Sequence, residues 1–99
     1  MVIVGIISFP LESSSEVGKR LSKLPSPPPF IKVIGPFVSA ELGTGIKGMT
    51  LYEFDQTKAG EATIYASDRY TKYIGIPGLT YSVATWLEAI EALKMIGLG

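Results

Sequence analysis

Val2 to Phe9, VIVGIISF, is apolar at almost every position and rich in β-branched side chains. That pattern predicts a strand covered on both faces, ended by Pro10. Val17, Leu21 and Leu24 then recur at helical spacing. Ser13 and Glu16 fit a capping box before them, with Ser14 and Ser15 as alternative caps, and Lys19, Arg20 and Lys23 sit where the helix dipole favours cations. The run PSPPPF, Pro25 to Phe30, stops this helix and acts as a stiff spacer. Phe30 to Leu42 returns to strand character, interrupted at Gly35 and Pro36. Proline cannot donate to a ladder, so this strand belongs at an edge or carries a bulge there. Gly48 to Phe54, GMTLYEF, is a further strand. Between Asp55, a cap candidate, and Gly75, a stop, the residues Ala62, Tyr65 or Ala66, Arg69 and Tyr73 give a second helix. Gly78 to Thr85 alternates Leu79, Tyr81 and Val83 against Thr80, Ser82 and Ala84, as a half-buried strand does. Thr85 and Glu88 form another capping box, opening a last helix along Trp86, Leu87, Ile90, Leu93 and Ile96.

The order is βαββαβ with a terminal helix. It predicts one α+β domain over residues 1–99, with a core over 2–85 and the extra helix over 86–96. The core is a four-stranded antiparallel sheet with two helices on one face. Composition narrows the chemistry. At 99 residues and 46% hydrophobic, the chain can bury one core. Its mean hydropathy of +0.32 leaves apolar surface that calls for an interface or a ligand. Nine basic and nine acidic residues cancel, so no strong field draws nucleic acid or an anionic membrane. The chain has no Cys and no His. Thiol catalysis, imidazole bases, disulfides and the usual zinc ligands are therefore excluded. The acidic residues show no calcium-loop spacing, and no metal or other cofactor is expected. No segment approaches the ~18 apolar residues of a membrane span, and the first ten lack a basic leader and cleavage site. The cytoplasm is the expected compartment.

Two motifs invite a nucleotide or RNA reading. Gly43, Gly45 and Gly48 match G-x-G-x-x-G. A dinucleotide site, however, needs a helix after those glycines to receive the phosphates, and here a strand follows. The expectation is a hairpin turn in which the glycines supply positive φ. KGMTLYEF, Lys47 to Phe54, overlays the signature strand of RNA-recognition motifs at Lys47, Gly48 and Phe54. The base-stacking positions are Met49 and Leu51, and the first strand has no early aromatic. Without stacking, worth about 1–3 kcal/mol per base, the RNA reading loses its mechanism.

Met49 and Leu51 instead make the face opposite Tyr52 and Phe54 greasy, and such a face needs a cover. A second copy, sheet against sheet, is the simplest; the chain's own last helix is the alternative. In element order and in its doubly apolar first strand, the chain resembles the dimeric α/β-barrel proteins of the ferredoxin-like fold, over about Val2 to Thr85. The resemblance implies a ferredoxin-like βαββαβ sandwich that dimerises through its open sheet face. It also implies a role among small monooxygenases, heme-degrading or dismutase-like enzymes, ligand-binding regulators, or proteins with a structural role alone. A histidine-ligated heme does not fit a chain without histidine.

The leading expectation is a homodimeric ligand-binding or structural protein. Its cavity would lie between sheet and helices near Tyr52, Phe54, Tyr65, Arg69 and Tyr81. Tyr65, Arg69 and Tyr73 are successive i, i+4 neighbours on a tyrosine-rich helix, suited to a carboxylate or an aromatic ligand. The alternatives are a cofactor-independent monooxygenase acting on an aromatic or quinone-like substrate, and a bare interaction module. Glu53 is the catalytic candidate: a carboxylate on the covered face would be a stronger base. A solvated or lysine-paired Glu53 is the simpler account.

Overall fold

A computed structural model describes residues 1–41, 43 and 45–98. It has strands β1 (Val2–Phe9), β2 (Ile31–Glu41), β3 (Gly45–Phe54) and β4 (Thr80–Trp86), and helices α1 (Ser14–Leu21), α2 (Ala59–Thr71) and α3 (Ala89–Met95). The strands form one sheet in the order β2-β3-β1-β4. Every neighbouring pair is antiparallel. The doubly apolar β1 holds a central place, and the Pro-containing β2 lies at an edge, as its missing donor requires. The Gly35–Pro36 peptide is cis, with Gly35 at φ +100. The register between β2 and β3 shifts between Ile34 and Phe37.

Register assigns the faces. Ile3 pairs with Tyr52 and Thr85, Gly5 with Thr50 and Val83, and Ile7 with Gly48 and Tyr81. These residues face the helices, where Val17 of α1 and Ala62, Ala66 and Tyr70 of α2 complete the core. Ile3 and Tyr52 are fully buried. Burying a side chain such as Ile3 contributes about 1.5–3 kcal/mol. Ala62 and Ala66, both at zero exposure, let α2 approach the sheet closely. That approach carries Tyr70 down to β1. A Cβ on Gly5 would overlap the Tyr70 hydroxyl, so Gly5 is a notch cut for that ring. The buried Tyr52 hydroxyl donates to Tyr70 Oη at 3.1 Å, which settles both polar groups inside the core.

Several local expectations are corrected. The Ser13–Glu16 capping box does not form: Leu11–Ser13 is a 3₁₀ turn, and no side-chain hydrogen bond caps α1. The Ser13 hydroxyl reaches the Pro77 carbonyl at 2.7 Å instead, and Glu16 pairs with Arg20 at 2.9 Å. Asp55 caps the 3₁₀ turn Gln56–Lys58 ahead of α2, accepting from the Thr57 N–H at 2.9 Å. β3 begins three residues early, at Gly45. Gly43 and Gly45 have positive φ, as a turn demands, whereas Gly48 lies inside the strand without it. The expected strand end at Leu42 is outside the described residues. Trp86 does not open the last helix, because it pairs with Val2 and prolongs β4. The capping pattern therefore moves down the chain from Thr85–Glu88, and the Glu88 N–H donates to Glu91 Oε1 at 2.9 Å.

The opposite face of the sheet carries Val2, Val4 and Ile6 of β1, Met49 and Leu51 of β3, and Ile34 and Phe37 of β2. Lys32, Lys47, Glu53, Ser8 and Ser82 border them. Phe37 is 52% exposed and Met49 39%. The last helix does not lie across this face: Phe37 and Met49 stay open, and α3 is rooted beyond the sheet end near Met1 and Gln56. The molecule measures 48 × 29 × 18 Å, the short dimension being one sheet and one helix layer. No helix among the described residues is long and apolar enough to cross a membrane.

Gly5→Ala is expected to lower stability by about 1–3 kcal/mol in urea unfolding, as an overpacked core does. Unchanged stability would contradict the close seating of Tyr70 on β1.

Candidate functional site

Between the sheet and the helix layer lies a cavity of ≈ 70 Å³. Its floor is Gly48 and Thr50 of β3 with Ile7 and Phe9 of β1. Val17 and Leu21 of α1 close one side, and Arg69, Tyr70 and Tyr73, on or just beyond α2, close the other. Pro36 and Val38 of the bulged edge strand stand with them. The walls are mostly apolar, with polar groups supplied by Thr50, Arg69 and the two tyrosines.

Gly48 is part of that floor. A Cβ there would meet Ile7 Cγ1 at 3.2 Å and Cδ1 at 3.6 Å, tight but accommodated by a small movement of Ile7. Two glycines thus indent the helix-facing side of adjacent strands. Tyr70 fills the indentation at Gly5; Ile7 stands against the one at Gly48, on the cavity floor.

Arg69 is the predicted site residue that lines the cavity. Its Nη1 donates to Tyr65 Oη at 3.2 Å, and its guanidinium carbon lies 5.8 Å from the centre of the Tyr52 ring. Tyr52 and Tyr65 meet edge to face at 6.3 Å, so three of the five expected residues, Tyr52, Tyr65 and Arg69, are brought together. Tyr81 stacks on Tyr70 at 5.8 Å. Phe54 is buried at the far end of β3, in register with Ile31. Glu53 is exposed on the other side of the sheet, in register with Lys32. Tyr73, expected beside Arg69 as its i, i+4 neighbour, lines the cavity with it, as does Tyr70 of the same tyrosine-rich segment; Thr50 is the lining polar residue that was not expected. Strand parity with Tyr52 and Phe54 was the available signal for Thr50. The spacing Ala62, Ala66, Tyr70 was the signal for the buried stripe of α2. Among the described residues no group of three or more acidic side chains could hold a metal ion.

Burial pushes the Tyr73 phenol above its ordinary value. Burial, then the hydrogen bond with Tyr70, does the same to Tyr52. A phenol held neutral in the folded state binds its proton where the unfolded chain has released it. Stability is therefore undiminished below about pH 10 and falls above it. In urea unfolding above pH 10, Tyr73→Phe is expected to reduce the loss by up to about 1.4 kcal/mol per pH unit. An unchanged alkaline slope would mean that Tyr73 ionises freely.

No protein-family model, curated protein or solved structure matches this chain.

Proposed function

We propose that the chain is a small ligand-binding protein that works as a homodimer, with a ferredoxin-like fold of the dimeric α/β-barrel kind. The antiparallel order β2-β3-β1-β4, with α1 and α2 on one face, supports the fold reading. Support for the homodimer comes from the uncovered apolar face and from surface area. The chain exposes 6400 Å². A compact monomer of 10.6 kDa exposes about 5,500 Å². The excess of roughly 900 Å² is near the ~800 Å² each partner contributes to a standard interface.

Gly48 carries the ligand-binding half of the reading. Glycine inside a strand weakens it by about 0.5–1 kcal/mol relative to alanine, and no positive φ calls for glycine here. A larger side chain there would crowd Ile7 and the cavity floor beside Thr50, Arg69 and Tyr73. The space is well under the ~150 Å³ of a cavity that holds benzene, so it admits a slim apolar head or a ring edge. Arg69 then favours an anionic tail, and a small aromatic or branched aliphatic acid fits both. A cofactor-independent oxygenase would need a base at the cavity. Thr50, Arg69, Tyr70 and Tyr73 are neutral or cationic there, and Glu53 is on the opposite side of the sheet. Binding is therefore the preferred reading.

Thermal shift with benzoate, phenylacetate, isovalerate and benzoquinone tests it. A ligand at a hundredfold over its Kd adds about 2.7 kcal/mol, a rise of about 10–20 °C for a domain of this size. Gly48→Val is expected to abolish the rise, and Arg69→Met to abolish it for the acids. A rise that Gly48→Val leaves intact would place the ligand elsewhere; no rise with any probe would contradict the proposed ligand class.

A further inference from the structure

The last helix is built inside out. Glu91, 26% exposed, turns toward the domain and accepts from the Met1 ammonium at 2.8 Å. Lys94 and Met95, one turn on, share that side and line the same concavity beside Gln56. Ile90 and Leu93 lie an i, i+3 step apart on another side, continued by Ile96. Ile90 is 57% exposed and Ile96 69%. An amphipathic helix normally buries its apolar stripe and leaves its charges in water. Here Glu91 ties the helix to the domain through Met1, and the Ile90–Leu93 stripe is bare.

A fitting seat exists on the open sheet face. Ile6, Phe37, Ser39 and Met49 form a shallow, mainly apolar groove with Lys47 at its rim. This groove lies along the sheet from the root of α3. The root follows Trp86, which pairs with Val2, whereas Ile6, Met49 and Phe37 are in register four residues further along β1. That separation is about 13 Å along the strand.

Resting on the homodimer reading above, we propose that α3 is an exchanged strap, whose Ile90–Leu93 stripe lies in the Phe37–Met49 groove of a second copy. A two-fold axis that sets the two sheets face to face with antiparallel strands brings the partner's strap to the Lys47 end of this sheet. The same operation delivers this chain's strap to the partner, so two seats and two straps are satisfied together. Helix-in-groove docking uses such i, i+3 anchors. Charge agrees: Glu88 at the start of α3 faces a groove rimmed by Lys47. Area agrees too: the chain exposes roughly 900 Å² more than a compact monomer of its size, near the ~800 Å² one partner contributes to a standard interface.

The absence of native cysteine permits a clean test. Full-length chains carrying a single cysteine, Ile90→Cys or Leu93→Cys, are mixed with chains carrying Phe37→Cys or Met49→Cys and oxidised. The expected product is a covalent dimer joining a strap chain to a groove chain. A chain carrying both Leu93→Cys and Phe37→Cys would overturn the exchange if it closed on itself as a monomer. As a second measurement, Ile90→Asp with Leu93→Asp, both at exposed positions, is expected to weaken self-association at least tenfold. A wild-type dimer with no strap-to-groove disulfide and no response to the aspartates would refute the strap and leave the homodimer standing. A wild-type chain that stays monomeric would refute both.

Discussion

A single sheet has two faces, and this chain supplies helices for only one of them. That imbalance governs the rest of the structure. β1 runs through the middle of the sheet with Ile3, Gly5 and Ile7 toward the helices and Val2, Val4 and Ile6 away from them. Its two-sided apolar character cannot be satisfied by α1 and α2 alone. Alternation along β3 repeats the problem: Tyr52 and Phe54 are buried, while Met49 and Leu51 look outward. Apolar surface of this extent on so small a domain is what supports the proposed homodimer, since about 25 cal/mol is available for each Å² withdrawn from water.

On the covered face, side-chain size is matched across the layers. Two alanines draw α2 close, and the approach forces Tyr70 onto β1 where only glycine leaves room. The resulting tyrosine group is held by a buried hydroxyl pair and by edge-to-face contacts, with the Arg69 guanidinium against Tyr52 and Tyr65. One strand over, Gly48 with Ile7 beside it forms part of the cavity floor. Fold and candidate site thus share one device, a missing Cβ on the helix-facing side of a strand.

Much of this was legible in the chain. Periodicity located all four strands and three helices, and strand parity assigned Tyr52 and Phe54 to one face and Met49 and Leu51 to the other. Where local signals competed with pairing, pairing prevailed. Trp86 carries helical spacing with Ile90, yet its ladder with Val2 keeps it extended. Ser13 is placed to cap, yet its hydroxyl finds the Pro77 carbonyl across 64 residues. The glycine motif was legible as a turn for Gly43 and Gly45, but the role of Gly48 depends on which residue stands opposite, and Ile7 is known only from the register. The stripe on α3 was visible as well. Its direction was not, because periodicity fixes which residues share a side and says nothing about where that side points.

Self-association through the uncovered face is what the proposed homodimer requires. Sedimentation equilibrium of the unmodified chain, from micromolar to near-millimolar concentration, measures it directly. A mass rising to twice the 10.6 kDa of one chain is the predicted result. A mass that stays at one chain throughout, with the sheet face still open to water, would contradict it.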